Sequence, residues 1–414
     1  MTGSADAPAC RACGAPLACT FVDLGETPLA NAYLEEADLA KPEPRYPLHA
    51  RVCGACFLVQ IDAAVPPEEI FSDYAYFSSY SESWVAHARR FCAAARDRFG
   101  LRPESLVVEV ASNDGYLLRH FVATGVPVLG IEPAANVARV AEAAGVPTLT
   151  RFFGLELAHE LAAAGRSADL LVGNNVLAHV PDLNDFVAGL AALVKPAGVI
   201  SIEAPHLLRL IEGVQFDTIY HEHFSYFSLL AVEHVFARHG LRVFDVETLE
   251  THGGSLRILA CREAADRAEE PALARVRAQE NDAGLDRLDV YAGFGARVAE
   301  AQASLIAFLE RARREGRTVA AYGAAAKGNT LLNACGVGRD DIAGVADVSP
   351  HKQGRYMPGS RLPIHAPEWL RETRPDYVLI LPWNLKDEIV ERMACVREWG
   401  GRFVVPIPRT EVLP

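Results

Sequence analysis

"VVEVASNDGYLL", residues 107–118, is a short apolar run carrying a single carboxylate, Glu109, followed by a turn at Asp114-Gly115 that opens a helix. Apolar runs of this length that end in turn residues are typical of strands buried on both faces of a parallel sheet. The surroundings repeat the pattern. A helix (SWVAHARRFCAAARDRFG, 83–100) leads in, and strand-like VPVLGIE (126–132), a helix over 134–144, ADLLVGNN (168–175), a helix near 184–193 and GVISIEAP (198–205) lead out. Alternation of strand and helix predicts a doubly wound parallel sheet, with ligands bound beyond the carboxyl ends of its strands.

On that rim lie Glu109, the turn Ala111-Ser112-Asn113 with Gly115, Glu132-Pro133 at the end of the second strand, and Asn174, Asn175 and His179 at the end of the third. Glu132 follows the first turn by ~20 residues, where a carboxylate suits ribose hydroxyls. A dinucleotide site would want G-x-G-x-x-G, and this turn has one glycine. Two acidic strand ends separated by a turn resemble the S-adenosylmethionine methyltransferases instead. The sequence departs from them in carrying Ala111-Ser112-Asn113 where they have glycines. A degenerate nucleotide fold without cofactor is the competing reading.

The chain has 414 residues, half of them apolar, 22% charged, with a net charge of −13. That length exceeds one core and suggests two or three domains. The acidic balance argues against a nucleic-acid backbone as main partner, without excluding a small phosphorylated ligand in a local basic pocket. No signal peptide or membrane-spanning run is read, so a cytoplasmic protein without membrane partners is expected. Only five lysines occur (41, 195, 327, 352 and 386), against 35 arginines.

Beyond 205, LRVFDVETL (241–249) and GGSLRILACR (253–262) read as antiparallel strands, and 264–315 as polar helix. A second α/β series follows: RTVAAYGAAAKGNTLLNAC (317–335), DIAGVADVS (341–349), PDYVLILPWN (375–384), a helix over 386–398 and RFVVPIP (402–408). In it Gly323 and Gly328 bracket a turn that could present backbone N–H groups to a phosphate. Lys327, Gly328 and Asn329 in that turn, and Lys352 on the next strand-end loop, are candidates to hold a nucleotide diphosphate. A solvated packing domain is the alternative.

Residues 1–70 form a small β-rich stretch with two C-x-x-C pairs, Cys10/Cys13 and Cys53/Cys56, each with a glycine (Gly14, Gly54) to turn the knuckle. Four thiolates satisfy tetrahedral Zn²⁺, and a closed Cys₄ shell is structural. Disulfides and an iron–sulfur cluster are weaker alternatives in a reducing compartment. The 39 residues between knuckles exceed the common spacing, so an inserted loop is expected.

One stretch remains: "TIYHEHFSYF", residues 218–227. A cupin-like H-x-H metal site fails there because the next carboxylate, Glu233, comes ten residues after His223. If the segment is extended, Tyr220 and Glu222 point one way and His221 and His223 the other. His221, His234 and His239 are read as structural.

CRACG (10–14), VCGACFLVQ (52–60), SDYAYFSSYS (72–81), VVEVASNDGYLL, GIEP (130–133), NNVLAHVPDLNDF (174–186), IYHEHFSYFSL (219–229), GGSLR (253–257), YGAAAKGNTLLN (322–333) and LPWNLKDEI (381–389) together resemble the deoxysugar C-methyltransferases, nearly end to end. The nearest type is the C-3′-methyltransferases of dTDP-D-tetronitrose biosynthesis. The resemblance implies a zinc-binding domain (1–70), a Rossmann-like S-adenosylmethionine domain (71–250) and a second Rossmann-like α/β domain (251–414) that contributes to sugar-nucleotide binding. It implies a dTDP-linked 4-keto deoxysugar as substrate, methylated on a carbon next to the keto group. It assigns His223 as general base, with Glu222 and Tyr220 in support. His179 and Tyr74 become candidates for the keto oxygen, with Tyr76 beside the substrate; Tyr80 is a further neighbour. Two other classes stay open: a nicotinamide-dependent oxidoreductase and a zinc-stapled binding protein without chemistry. The sequence leaves the oligomeric state undecided, a monomer included.

Overall fold

In the computed structural model the described residues are 8–62, 65–66 and 77–414. Tyr74 and Tyr76 lie outside them. Three sheets organise the chain. The first joins β1 (Cys19–Thr27), β2 (Tyr46–Val52), β3 (Val59–Ile61) and, in order along the chain after the next five strands, β9 (Ser225–Tyr226). All its pairings are antiparallel.

The second sheet comprises β4 (Val107–Val110), β5 (Val128–Ile131), β6 (Thr148–Leu149), β7 (Ala168–Asn174), β8 (Val194–Pro205), β10 (Leu241–Leu249) and β11 (Ser255–Arg262). Its order is β10-β11-β8-β7-β4-β5-β6. The five strands from β8 to β6 run parallel, and β11 and β10 close one edge antiparallel. Every residue of β4 and β5 is buried, as a two-faced parallel strand demands. β11 lies past residue 250, so this sheet extends beyond the expected boundary there.

The third sheet comprises β12 (Val319–Tyr322), β13 (Val345–Ala346), β14 (Ile364–His365), β15 (Tyr377–Ile380), β16 (Arg402–Val405) and β17 (Glu411–Val412), in the order β14-β13-β12-β15-β16-β17. All but β17 pair parallel.

Local chemistry delimits the helices. Ser81 Oγ accepts the Trp84 N–H at the start of helix Glu82–Phe99, and Gly100 ends it in the left-handed conformation. The long helix Phe294–Arg314 packs back on β1, where the Phe294 and Phe21 rings stack with centroids 4.3 Å apart. One apolar cluster therefore runs from the first sheet through this helix into the third sheet. No described helix is long and apolar enough to cross a membrane.

Strand order reverses twice, at β4/β7 in the second sheet and at β12/β15 in the third. Each reversal leaves a crevice beyond the carboxyl ends of the strands. Residues from both crevices line one cleft.

Candidate active site

The cleft has a volume of about 860 Å³. At its first end the turn after β4 carries Ala111 at φ 55° and Asn113 at φ 50°, and the end of β7 leads to Asn175 at φ 53°. These are left-handed conformations that glycine usually serves, so alanine and asparagine here accept the backbone shape of a glycine turn at a cost of about 1–3 kcal/mol each. The departure from the methyltransferase glycines is thus one of side chains, not of path. Gly130 keeps the turn close: a Cβ there would lie 2.5 Å from Ser112 Oγ.

Glu132 accepts the backbone N–H groups of Asn113 (3.0 Å) and Ala134 (2.9 Å), one on each oxygen. A carboxylate oxygen has two lone pairs, so each retains one acceptor site beside the cleft. Burial raises its pKa from the usual carboxylate range, and the two N–H groups oppose that. Asn174 is buried, and neither polar atom of its amide finds a partner among the described residues. Pro133, Ile131 and Phe153 supply apolar wall. A diol acceptor, an uncommitted amide and an apolar slot fit an adenosyl cofactor.

Ala111, Asn113, Glu132, Pro133, Asn174 and Asn175 therefore meet at this end. Glu109, Ser112 and Gly115, expected with them, do not line the cleft. Glu109 is buried within β4, its carboxyl held well above the usual range by burial and then by Glu132 and Asp114. Gly115 (φ 75°) faces Val146, which a Cβ would meet at 3.0 Å. These three shape the crevice from behind.

In the middle of the cleft lies the 218–227 stretch, and it is not extended. After the short 3-10 helix Phe216–Thr218 the chain turns, the His223 N–H donating to the Tyr220 carbonyl at 2.9 Å. The turn cancels the expected alternation: Tyr220 and His223 face each other, with Tyr220 Oη 2.9 Å from His223 Nε2. His223 Nδ1 lies 2.9 Å from the Thr218 carbonyl, which can only accept. Nδ1 therefore carries the proton, and Nε2 accepts from the Tyr220 hydroxyl. Burial, then the neighbouring His179, holds the His223 pKa well below the imidazole range, so the ring is neutral. The His179 ring stands edge-on at 4.7 Å, and burial lowers its pKa to about 4. Glu222 is buried, accepts from Asn31 Nδ2 at 2.6 Å, and is pushed up to about 7 by that burial. His221 points away to the Pro47 carbonyl (3.1 Å), and His239 to Asn184 (2.9 Å), in keeping with structural roles.

The far end belongs to the third sheet. Lys327 Nζ donates to Asn384 Oδ1 (2.8 Å) and sits 4.7 Å from the centre of the Trp383 ring. Beneath it Asp217 accepts the Trp383 indole N–H at 2.7 Å; its pKa is pushed up to about 6 by burial, and Lys327 opposes that. Lys352 Nζ donates to the Ala324 carbonyl (2.7 Å) at the cleft wall. Gly328 and Asn329 do not reach the cleft. A Cβ on Gly328 would meet Leu381 at 2.8 Å, so it permits helix-to-strand contact, and Asn329 Nδ2 donates to the Ala30 carbonyl (2.6 Å).

Family models match the chain in three consecutive pieces: a zinc-binding domain over residues 10–71, a methyltransferase domain over 84–246 and a C-methyltransferase C-terminal domain over 250–408. The chain is 40% identical over 404 residues to C-methyltransferase NovU of Streptomyces niveus, covering 98% of this chain and 96% of that one. This chain is a C-methyltransferase of that family. A ubiquinone biosynthesis O-methyltransferase of Methylobacterium is 33% identical over only 123 residues, 28% of this chain and 48% of that protein. Among solved structures, magnesium protoporphyrin IX methyltransferase of Synechocystis with bound S-adenosylmethionine is 15% identical, covering 49% of this chain and all of that one at a TM-score of 0.36.

The C-methyltransferase uses S-adenosylmethionine and carries structural zinc. The cysteines agree with the latter: the four Sγ atoms lie within 4.8 Å of one another, with Cys10–Cys56 at 3.6 Å and Cys13–Cys53 at 3.5 Å. Zn–S bonds of ~2.3 Å in a tetrahedron place sulfurs ~3.8 Å apart. The left-handed residue of each knuckle follows its second cysteine, Gly14 at φ 78° and Phe57 at φ 56°. The glycine expected to turn the second knuckle, Gly54, has no such φ.

Several cleft residues carried no signal in the sequence reading: Asn31, Tyr33, Trp84 and His252. Nor did Asp217, which lies behind Lys327, and Trp383 and Asn384 were visible within LPWNLKDEI but were given no role. Their common feature is that long-range packing, not spacing, brings them to the cleft wall or behind it.

Proposed function

We propose that this C-methyltransferase acts on a dTDP-linked 4-keto deoxysugar and methylates the carbon next to the keto group, C-3 by its nearest resemblance. The observation that carries the reading is the Tyr220–His223 pair, placed between an adenosyl crevice and a lysine-lined one. Carbon methylation requires that a C–H proton be removed first, and a neighbouring keto group makes that proton acidic. A neutral imidazole whose Nδ1 is tied to a carbonyl offers Nε2 as the base. As the C–H proton goes to the pair, the electron pair left on carbon spreads to the keto oxygen as an enolate. His179, on the same wall, is the candidate contact for that oxygen. The bound cofactor supplies an electrophilic methyl group. The carbon's electron pair would form the new C–C bond as the methyl–sulfur bond breaks and S-adenosylhomocysteine leaves, and the proton held on His223 would pass to solvent or through Glu222. Lys327 and Lys352 suit the diphosphate. In this reading labour divides near residues 70 and 250, with zinc-module, cofactor and nucleotide roles in turn.

The test is incubation with S-adenosylmethionine and a panel of dTDP-4-keto deoxysugars, read by mass and NMR. A gain of one CH2 on carbon is expected. No gain with any member, or methylation on oxygen, would overturn the assignment.

A further inference from the structure

The stretch between the two cysteine knuckles holds β1 and β2 and, joining them, a long inter-knuckle loop over 28–45, and the fold shows where that loop goes. Leu34 exchanges both backbone hydrogen bonds with Tyr356 (2.9 Å each), Gly359 N–H donates to Glu43, and Arg361 donates to the Leu39 carbonyl at 2.7 Å. Asn329 holds the Ala30 carbonyl from the other side. The loop is thus clamped to the segment before β14 and to the helix Ala326–Ala334, although β1 and β2 hold its ends in the first sheet. Between those clamps, Leu29, Asn31, Ala32 and Tyr33 line the cleft.

Two contacts there reach groups of the catalytic reading. Asn31 Nδ2 donates to Glu222 Oε1 at 2.6 Å. The Tyr33 hydroxyl donates to the Ala324 carbonyl (2.6 Å), the same oxygen that takes Lys352 Nζ, and Lys352 lies 5.2 Å from the centre of the Tyr33 ring. We propose that the inter-knuckle loop is a working wall of the active site, in which Asn31 is the positioning residue that orients Glu222 and keeps its carboxylate accepting. This rests on the reading of Glu222 as part of the acid/base cluster.

The chemistry is direct. An amide N–H favours the ionised acceptor, and Glu222 is otherwise stripped of water. The other charged or titratable groups around it are Lys352 from the third-sheet loop, Tyr33 from the inter-knuckle loop, and His179, His221 and His223 from its own neighbourhood. None replaces the Asn31 N–H. The long spacing between knuckles follows: it holds the β1–β2 pair and a connection whose middle has to span from the first sheet to the cleft.

The experiment measures pH–rate profiles of kcat for wild type, Asn31→Ala and Asn31→Asp, with zinc content and S-adenosylhomocysteine affinity checked on each. Losing one charge-assisted hydrogen bond moves the limb governed by Glu222 upward by about one pH unit. Asn31→Asp, which sets a like charge against it, moves the limb further. Unmoved limbs in both variants, with zinc and cofactor binding intact, overturn the role of Asn31. The partner variant Glu222→Ala separates this from the underlying reading. Wild-type activity in Glu222→Ala removes Glu222 from the chemistry and takes the proposal with it. A loss of activity in Glu222→Ala that Asn31→Ala deepens further shows the two acting independently and also sinks it. No deeper loss in the double variant is the result expected.

Discussion

Two crevices of the same topology face each other across the cleft and differ in charge. The one at β4/β7 offers a carboxylate, Glu132, and an uncommitted amide, Asn174. The one at β12/β15 offers two ammonium groups, Lys327 and Lys352, with Trp383 and Asn384 to hold the first of them. A parallel sheet reversing its strand order provides the hole in both cases. In the proposed reading the few side chains on the strand-end loops select the occupant, a cationic nucleoside at one end and an anionic diphosphate at the other.

The largest effect is expected where neither crevice is touched. His223→Asn should reduce methyl transfer by about 10²- to 10⁴-fold, the usual weight of a general base, while calorimetry finds both ligands still bound. Full methyl transfer at saturating substrate would remove His223 from the proton chemistry. Next comes a change confined to the first crevice. Glu132→Ala deletes an acceptor tied to two backbone N–H groups and should weaken S-adenosylhomocysteine binding on the order of 100-fold, leaving sugar-nucleotide affinity alone. The mirror experiment is Lys327→Met, with about a tenfold loss for the sugar nucleotide and none for the cofactor. A variant of either kind that weakened both ligands equally would mean the crevices do not sort them.

The two crevices were also unequally legible in the sequence. The first could be read because its residues follow one another along successive strand ends, and hydrophobic runs mark those ends locally. The cysteine staple was legible for the same reason, since a C-x-x-C knuckle is a local object. The second was read from glycines and lysines, and half of that reading concerned packing. Gly328 and Asn329 press against Leu381 and Ala30, contacts no spacing rule foretells. The 218–227 stretch shows the same limit at close range. Its composition alone left a metal site, an acid/base cluster and a structural strand open, and the hydrogen bond between His223 N–H and the Tyr220 carbonyl turned an assumed strand into a turn. That reversal put Tyr220 on the side of His223 and freed His221 for Pro47. Asn31 was the least visible, because the contact that gives it meaning lies 191 residues away.

The smallest effect sharpens the comparison through stability instead of binding. Asp217, under Lys327, is fully buried, and its pKa is pushed up to about 6 from an ordinary 3.8, burial being the main cause. A carboxyl whose folded pKa is raised binds its proton more tightly in the folded state. Folding therefore loses stability as pH rises between about 4 and about 6, by at most about 1.4 kcal/mol per pH unit from this one group. Asp217→Asn keeps an acceptor for the Trp383 indole and removes the titration. Denaturant melts at a series of pH values should then show a flatter dependence over that window than wild type. The corresponding glutamate of the first crevice, Glu132, keeps its two N–H partners, which oppose the effect of burial on its pKa. An unchanged slope in Asp217→Asn would mean that Lys327 already holds the aspartate ionised, making the second crevice an ion pair before any phosphate arrives.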